Sequence, residues 1–278
     1  MRYKDFLINE DREYNDARSK SISDDQAKKA LLGNYNKSFK AAKTIHVKEV
    51  YRNKGTILYR GIPSQDDFRF TDPSEGSIRK SANTKNYYTT LVDNDPKWDY
   101  LPSRSAGIIC STSQNLTTHY GQPYMVFPIN GARLGVVPDD DFWSAFSESG
   151  VYNMASFNRV ITDIFREASI MIDDDDHTSM MRAFDNFDSY FTDADDFLEF
   201  WKDSRYFTNN AWLSDYANNM NMRKFISNLL DPRKNGFKVK KAGDQIKCEN
   251  CEVWTDHRCI LVKDIMANRE LLGIWGNE

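Results

Sequence analysis

What the 278-residue chain has little of excludes several classes before any motif is read. No run approaches the roughly 18 apolar residues that a membrane span needs, so no membrane protein is expected. The opening Met1 to Ser21 is too polar for a secretory signal, which points to the cytoplasm. Positive charge is not in surplus: 37 Lys and Arg face 41 Asp and Glu, so no global field draws the molecule onto nucleic acid or an anionic membrane. Any nucleic-acid contact has to be local. Cysteine is scarce too, and 4 in a chain of this length do not look like a disulfide framework, although Cys248, Cys251 and Cys259 crowd the C-terminal end. Aromatic residues are plentiful at 13%, which is ample material for a packed core. The length suits one large domain or two small ones.

Ser23 followed by Asp24, Asp25 and Gln26 is a capping-box pattern. Ala27, Leu31, Tyr35, Phe39 and Ala42 then recur at helical spacing, which predicts one helix to about Lys43. Lys28, Lys29, Lys37, Lys40 and Lys43 form its basic side, read as a solvated face with nucleic acid left open as a partner. The run from Thr56 to Arg60 reads as a strand closed by Gly61 and Pro63, feeding a long polar loop to Asn86. A second strand is expected over Gly107 to Ser113, a short helical turn over Leu116 to Tyr120, and a third strand over Tyr124 to Ile129. From about Asp139 to Pro232 the texture is helical and acidic. Phe157 to Ala168 gives one apolar stripe, and Met180, Phe184, Phe187 and Phe191 a second; Phe197 with Trp201, and Phe225 to Leu230, follow. Strands return at Phe237 to Val239, Glu252 to Trp254 and Cys259 to Val262. The order predicts an α+β fold with the helical block inserted between strands of one sheet.

Three separated elements place a polar residue within strand texture: Leu58-Tyr59-Arg60-Gly61, Cys110-Ser111-Thr112-Ser113 and Cys251-Glu252-Val253-Trp254. Arg60 offers a planar fork of donors suited to phosphate. Ser111 and Ser113 share a strand face by alternation and offer short hydroxyls. Glu252 supplies a carboxylate able to accept from ribose hydroxyls and to stabilise an oxocarbenium-like transition state. Such a set suits cleavage of a glycosidic bond to a cationic leaving group.

The ordered set Arg, Ser-Thr-Ser, Glu resembles the Arg-Ser-Glu class of ADP-ribosyltransferases, in which these motifs sit on separate strands of a split sheet around an NAD cleft. There the Ser-Thr-Ser strand is followed by a short helix and a new strand, and Leu116 to Gly121 before Tyr124 follows that layout. A helical region ahead of the Arg strand also resembles proteins of this fold from tailed phages. The matched motifs cover roughly Thr56 to Gly135 and Lys238 to Asp264. The resemblance implies an ADP-ribosyltransferase-like split β-sheet, with an N-terminal helical region over 1–50 and a domain over 51–278 carrying the helical insertion at 139–232. It implies mono-ADP-ribosyl transfer from NAD, as co-substrate, to a macromolecule, with release of nicotinamide and no metal. The acceptor is expected to be a protein, in the host cytoplasm if the chain is phage-encoded. By the same resemblance, Arg60 holds the NAD phosphates or the adjoining ribose, and backbone groups around Gly61 take the nicotinamide amide. Ser111 braces the glutamate or the ribose, Thr112 and Ser113 complete that strand, and Glu252 is catalytic. Many arginine-modifying members carry a second Glu two residues before the catalytic one. Here that position is Asn250, and Glu249 is one step out of phase, so the acceptor stays open.

Two other readings compete: NAD glycohydrolase, with water as acceptor, and a non-catalytic binding or phage structural protein on the same scaffold. Convergence of Arg60, Ser111 and Glu252 favours an enzyme; side chains far apart, or Glu252 buried against a lysine, favours a binder. Cys248, Cys251, His257 and Cys259 are plausible zinc-ligand types. Their spacing is tight and there is no second C-x-x-C, so small buried or half-buried thiols are expected instead. Asp173 to Asp176 read as a solvated cap, His119 as a packing or capping residue, and Tyr87 and Tyr88 as packing within a loop. The acidic insertion is the candidate for partner choice, since its charge can steer a basic protein surface.

Overall fold

The computed structural model describes residues 18–48, 57–75, 87–142, 144–146, 162, 176–201 and 216–273. The chain forms two compact units. The first comprises residues 1–83, 100–141 and 237–278, and the second residues 84–99 and 142–236. The fold is α+β, and its strands form one antiparallel sheet.

Among the described residues, nine strands make up the sheet of the first unit: β1 (Ser19–Ser21), β2 (Leu58–Ile62), β3 (Phe68–Thr71), β4 (Ile108–Ser111), β5 (Gln122–Pro128), β6 (Arg133–Val136), β7 (Lys238–Lys241), β8 (Glu252–Thr255) and β9 (Cys259–Lys263). Their order across the sheet is β1-β3-β9-β5-β2-β4-β8-β6-β7. β6 and β7 are neighbours although about a hundred residues separate them in sequence, so the helical segment is inserted between two paired strands. Period-two alternation gives the sheet two apolar faces. On one, Leu58, Ile62, Ile108, Cys110, Tyr124 and Val253 form a core. On the other, Phe68, Met125, Phe127, Ile260 and Val262 pack against two helices, α1 (Asp24–Leu32) and α2 (Asn36–Lys48). Removing each such side chain from water contributes roughly 1.5 to 3 kcal/mol.

The capping box is present: Ser23 Oγ accepts from Gln26 N at 3.3 Å, and Gln26 Oε1 accepts from Ser23 N at 2.9 Å. The single helix expected to Lys43 is instead two. The Gly33 amide turns back onto the carbonyls of Lys29 and Ala30. Asn130 then fixes the break, its backbone N donating to Asn34 O at 2.7 Å and its Oδ1 accepting from Lys37 N at 2.9 Å. Long-range hydrogen bonds thus override an unbroken apolar period, while Ala27, Leu31, Tyr35, Phe39 and Ala42 all stay buried. The polar stretch after Pro63 is not all loop either. Phe68–Thr71 forms β3, paired to β1 and β9.

In the second unit, Tyr87 and Tyr88 open a helix rather than sitting in a loop, and both are buried: α3 (Tyr87–Asn94). α4 (Gln114–Thr117) belongs to the first unit, and α5 (His177–Tyr190), α6 (Ala194–Trp201) and α7 (Met222–Leu229) follow in the second. Met180, Phe184 and Phe187 lie on the buried side of α5, and Phe187, Phe191, Phe197 and Tyr216 interlock with ring centroids 4.7 to 6.4 Å apart. Asp188 joins this cluster by accepting from Tyr216 Oη at 2.8 Å and Met222 N at 2.9 Å. The apolar stripe from Phe157 to Ala168 lies outside the described residues, as do Asp173 to Asp175; Asp176 caps α5 through Thr178 N. No helix among the described residues is long and apolar enough to cross a membrane.

Candidate active site

β2, β4 and β8, which carry Arg60, Ser111 and Glu252, are three successive neighbours in the sheet. β2 shares five register pairs with β5, and β4 shares four with β8, but β2 and β4 share only Tyr59 with Ser111. The sheet therefore opens between β2 and β4. Ser111 stands directly opposite Glu252 on β8 and opposite Tyr59 on β2, so these three project from one face.

Arg60 does not join them. It alternates with Leu58 and Ile62, which belong to the opposite core, and it is 5% exposed. Its Nη1 donates to Ile109 O on β4 at 2.5 Å. Where the ladder between β2 and β4 stops, a buried carbonyl needs another donor, and the guanidinium supplies it across the opening. The Arg60 charge also reaches Cys259 on that core face. Burial pushes the Cys259 thiol well up, Cys110 adds to this, and Arg60 opposes it.

The Ser-Thr-Ser run is held from β8. Thr112 N donates to Cys251 O at 3.0 Å, and Thr112 Oγ1 accepts from Cys251 N at 2.9 Å, which extends the β4–β8 ladder past the end of the strand. Ser111 Oγ accepts from Ser113 N at 3.0 Å and turns the chain into α4 (Gln114–Thr117). Ser113 occupies the N-cap position and makes no side-chain capping bond. α4 and the 3-10 turn Thr118–Tyr120, which carries exposed His119, pack directly on Gly61: a Cβ there would come within 2.1 Å of Thr117 O. Glycine is required at 61 for this close approach. Tyr59 is flanked by Asp264 and Arg269 of the C-terminal segment. Burial, with Asp264 adding and Arg269 opposing, pushes its hydroxyl up to about 12.

Glu252 begins β8, and its side chain is 12% exposed. Glu252 N donates to Asp139 O at 3.2 Å and Glu252 O accepts from Val137 N at 2.9 Å, which ties it to the chain following β6. Desolvation pushes Asp140 above the usual carboxylate range, the Asp139 charge adds to it, and Glu252 contributes in the same direction. Sequence reasoning missed the partner of Glu252. Arg104, 3% exposed, brings Nη1 to 2.6 Å from Glu252 Oε1. The two form a buried ion pair. The same guanidinium lies 5.6 Å from the ring of Trp254, whose indole lies against Gly135, where a Cβ would come within 2.3 Å of the ring. Trp254 was legible, two residues beyond Glu252 and hence on its face. Arg104 was not, since no motif marks Pro-Ser-Arg-Ser.

Cys248 and Cys251 are joined in a disulfide, with Cα atoms 5.7 Å apart, and are not the free thiols expected. A bend at Glu249 and Asn250 brings them to one side. Cys259 and Cys110 lie outside the disulfide and are buried, and His257 Nδ1 contacts Asp256 Oδ1 at 2.7 Å. Among the described residues no group of three His, Cys, Asp or Glu could hold a metal ion.

No family model matches the chain, and no curated protein or solved structure matches it at a significant level.

Proposed function

We propose that the protein is an NAD-dependent mono-ADP-ribosyltransferase acting on a macromolecule, with the site at the opening between β2 and β4. One observation carries this reading: the Arg, Ser-Thr-Ser and Glu strands, separated in sequence, are successive neighbours where the sheet opens, with Ser111 directly opposite Glu252. The residues fit the ribose side of NAD. Glu252 provides a carboxylate of low exposure, and Ser111 stands opposite it on the neighbouring strand, on the same face. They do not fit its phosphates through Arg60, whose guanidinium is buried and bonded to Ile109 O. Arg60 instead holds the two halves of the sheet at the distance the opening requires.

The nicotinamide–ribose bond of NAD is the chemistry at stake: it breaks with its electron pair going to nicotinamide, and the acceptor nucleophile bonds to the ribose carbon and loses its proton. Glu252 accepts from ribose hydroxyls and stabilises the cationic character that develops on the ring, an effect strengthened by its low exposure. Ser111 and Thr112 keep β4 in register with β8, so the carboxylate stays where the ribose is presented. The acidic corner of Asp139 and Asp140 favours positive charge at the same place.

A second reading, a non-catalytic binding protein, is favoured by two specific observations: Arg60 faces the core, and Glu252 is paired with Arg104. Incubation with NAD labelled on the adenylate, with and without cell lysate, separates the readings. Label transferred to a macromolecule and lost in Glu252→Ala supports the transferase. Nicotinamide release without transfer indicates a glycohydrolase, and no turnover and no binding of NAD favours the binding protein.

A further inference from the structure

We infer that Arg104 is a positioning residue for the chemistry at Glu252, an inference that rests on the NAD-cleaving reading above. A glutamate side chain at the start of a strand has three rotatable bonds, and its carboxylate serves a fixed ribose only if something holds it. Arg104 meets that need. Its Nη1 lies 2.6 Å from Glu252 Oε1, and its Cζ lies over the Trp254 ring at 5.6 Å from the centroid, so the cation is flanked by an indole on the same strand as the carboxylate.

The segment bearing Arg104 is itself tied to that strand. Trp254 Nε1 donates to Pro102 O at 2.9 Å, and Ser103 N donates to Asp256 Oδ2 at 3.0 Å. Gly107 N closes the turn onto Arg104 O at 3.2 Å, and Arg18 Nη1 holds the turn from outside through Ala106 O at 3.1 Å. Gly107 and Gly135 leave the room the indole occupies, since a Cβ at either would meet its ring atoms at 3.0 Å and 2.3 Å. Carboxylate, cation and aromatic ring therefore form one unit, locked before β4 begins and built on residues 102 to 107 and 252 to 256. Lysine cannot replace this arginine fully, because it keeps the charge but loses the broad guanidinium that meets the carboxylate and the ring together.

The test is a double-mutant cycle on NAD turnover with purified full-length protein, using Arg104→Gln, Arg104→Lys, Glu252→Gln and the combined Arg104→Gln/Glu252→Gln. Kd for NAD and thermal melting are measured on each. The expected result is that Arg104→Gln lowers kcat on the order of a hundredfold with little change in Kd, and that Arg104→Lys recovers part of the loss. In the Glu252→Gln background the Arg104 change costs nothing further, because the route through the carboxylate is already gone. Additive losses, or a loss confined to Kd or to melting temperature, would overturn the positioning role. Absence of NAD turnover by the wild-type protein overturns the NAD-cleaving reading itself, and the role of Arg104 with it.

Discussion

Two buried arginines, Arg60 on β2 and Arg104 in the bend before β4, meet different partners, and what each touches bears on what it does. Arg60 answers a backbone carbonyl and spans two strands; Arg104 answers a carboxylate and an indole, which is the basis of the positioning role proposed for it. The type of Arg60 was legible in the sequence, but its direction was not. Alternation tells which residues of one strand share a face, whereas Arg60 and Ser111 share a face only if the register between β2 and β4 allows it. That register pairs Tyr59 with Ser111, so a shift of one residue exchanges Tyr59 for Arg60 on the site face. Another buried charge gives a prediction at this scale. Burial raises Asp72, but the hydroxyl and amide of Ser74 and the Arg258 guanidinium outweigh it and hold its carboxyl below the usual range. A depressed folded value means stability that is present above the unfolded value and lost as pH falls through the folded one. Asp72→Asn is therefore expected to cost about 1 to 3 kcal/mol near neutrality and to flatten the acid limb below pH about 4. Urea unfolding across a pH series checks it, and an acid limb identical to wild type would refute it.

Elements with a strong apolar period were legible, among them the helices bearing Phe184 and Phe225 and the strands bearing Val126 and Val253. Short strands at one side of the sheet were not. β1 is three residues long, and β3 is four residues in an acidic context, so each depends on its partner's hydrogen bonds more than on its own pattern. The two-helix break at Gly33 depends in the same way on Asn130, ninety-seven positions later. The Cys248–Cys251 link is an element-scale device: it closes the turn that delivers Cys251 to Thr112 and Glu252 to Ser111. By the chain-entropy account a loop this short contributes about 2 kcal/mol. Reduction with a dithiol is expected to lower the melting temperature of the wild-type protein, and Cys248→Ser to reproduce the lower value with no further response to reductant. A wild-type melting curve indifferent to reductant would contradict it. Such a link is uncommon in a reducing cytoplasm, so the compartment sets the state of this turn.

At the scale of the whole molecule, the α+β order was legible because the texture of the chain changes twice, from strands to acidic helices near Asp139 and back near Phe237. The helical unit also recruits residues 84–99, which no change of composition announced. The N-terminal residues 19–42 complete the sheet unit, adding β1 to its edge and α1 and α2 to one face. What the opening between β2 and β4 is for is the central claim, and amide hydrogen exchange with and without saturating NAD tests it most directly. The account predicts protection confined to Leu58–Ile62, the Ser111 to Ser113 run and the start of β8 at Glu252. No protection at saturating NAD, or protection confined to the helical unit, would contradict it.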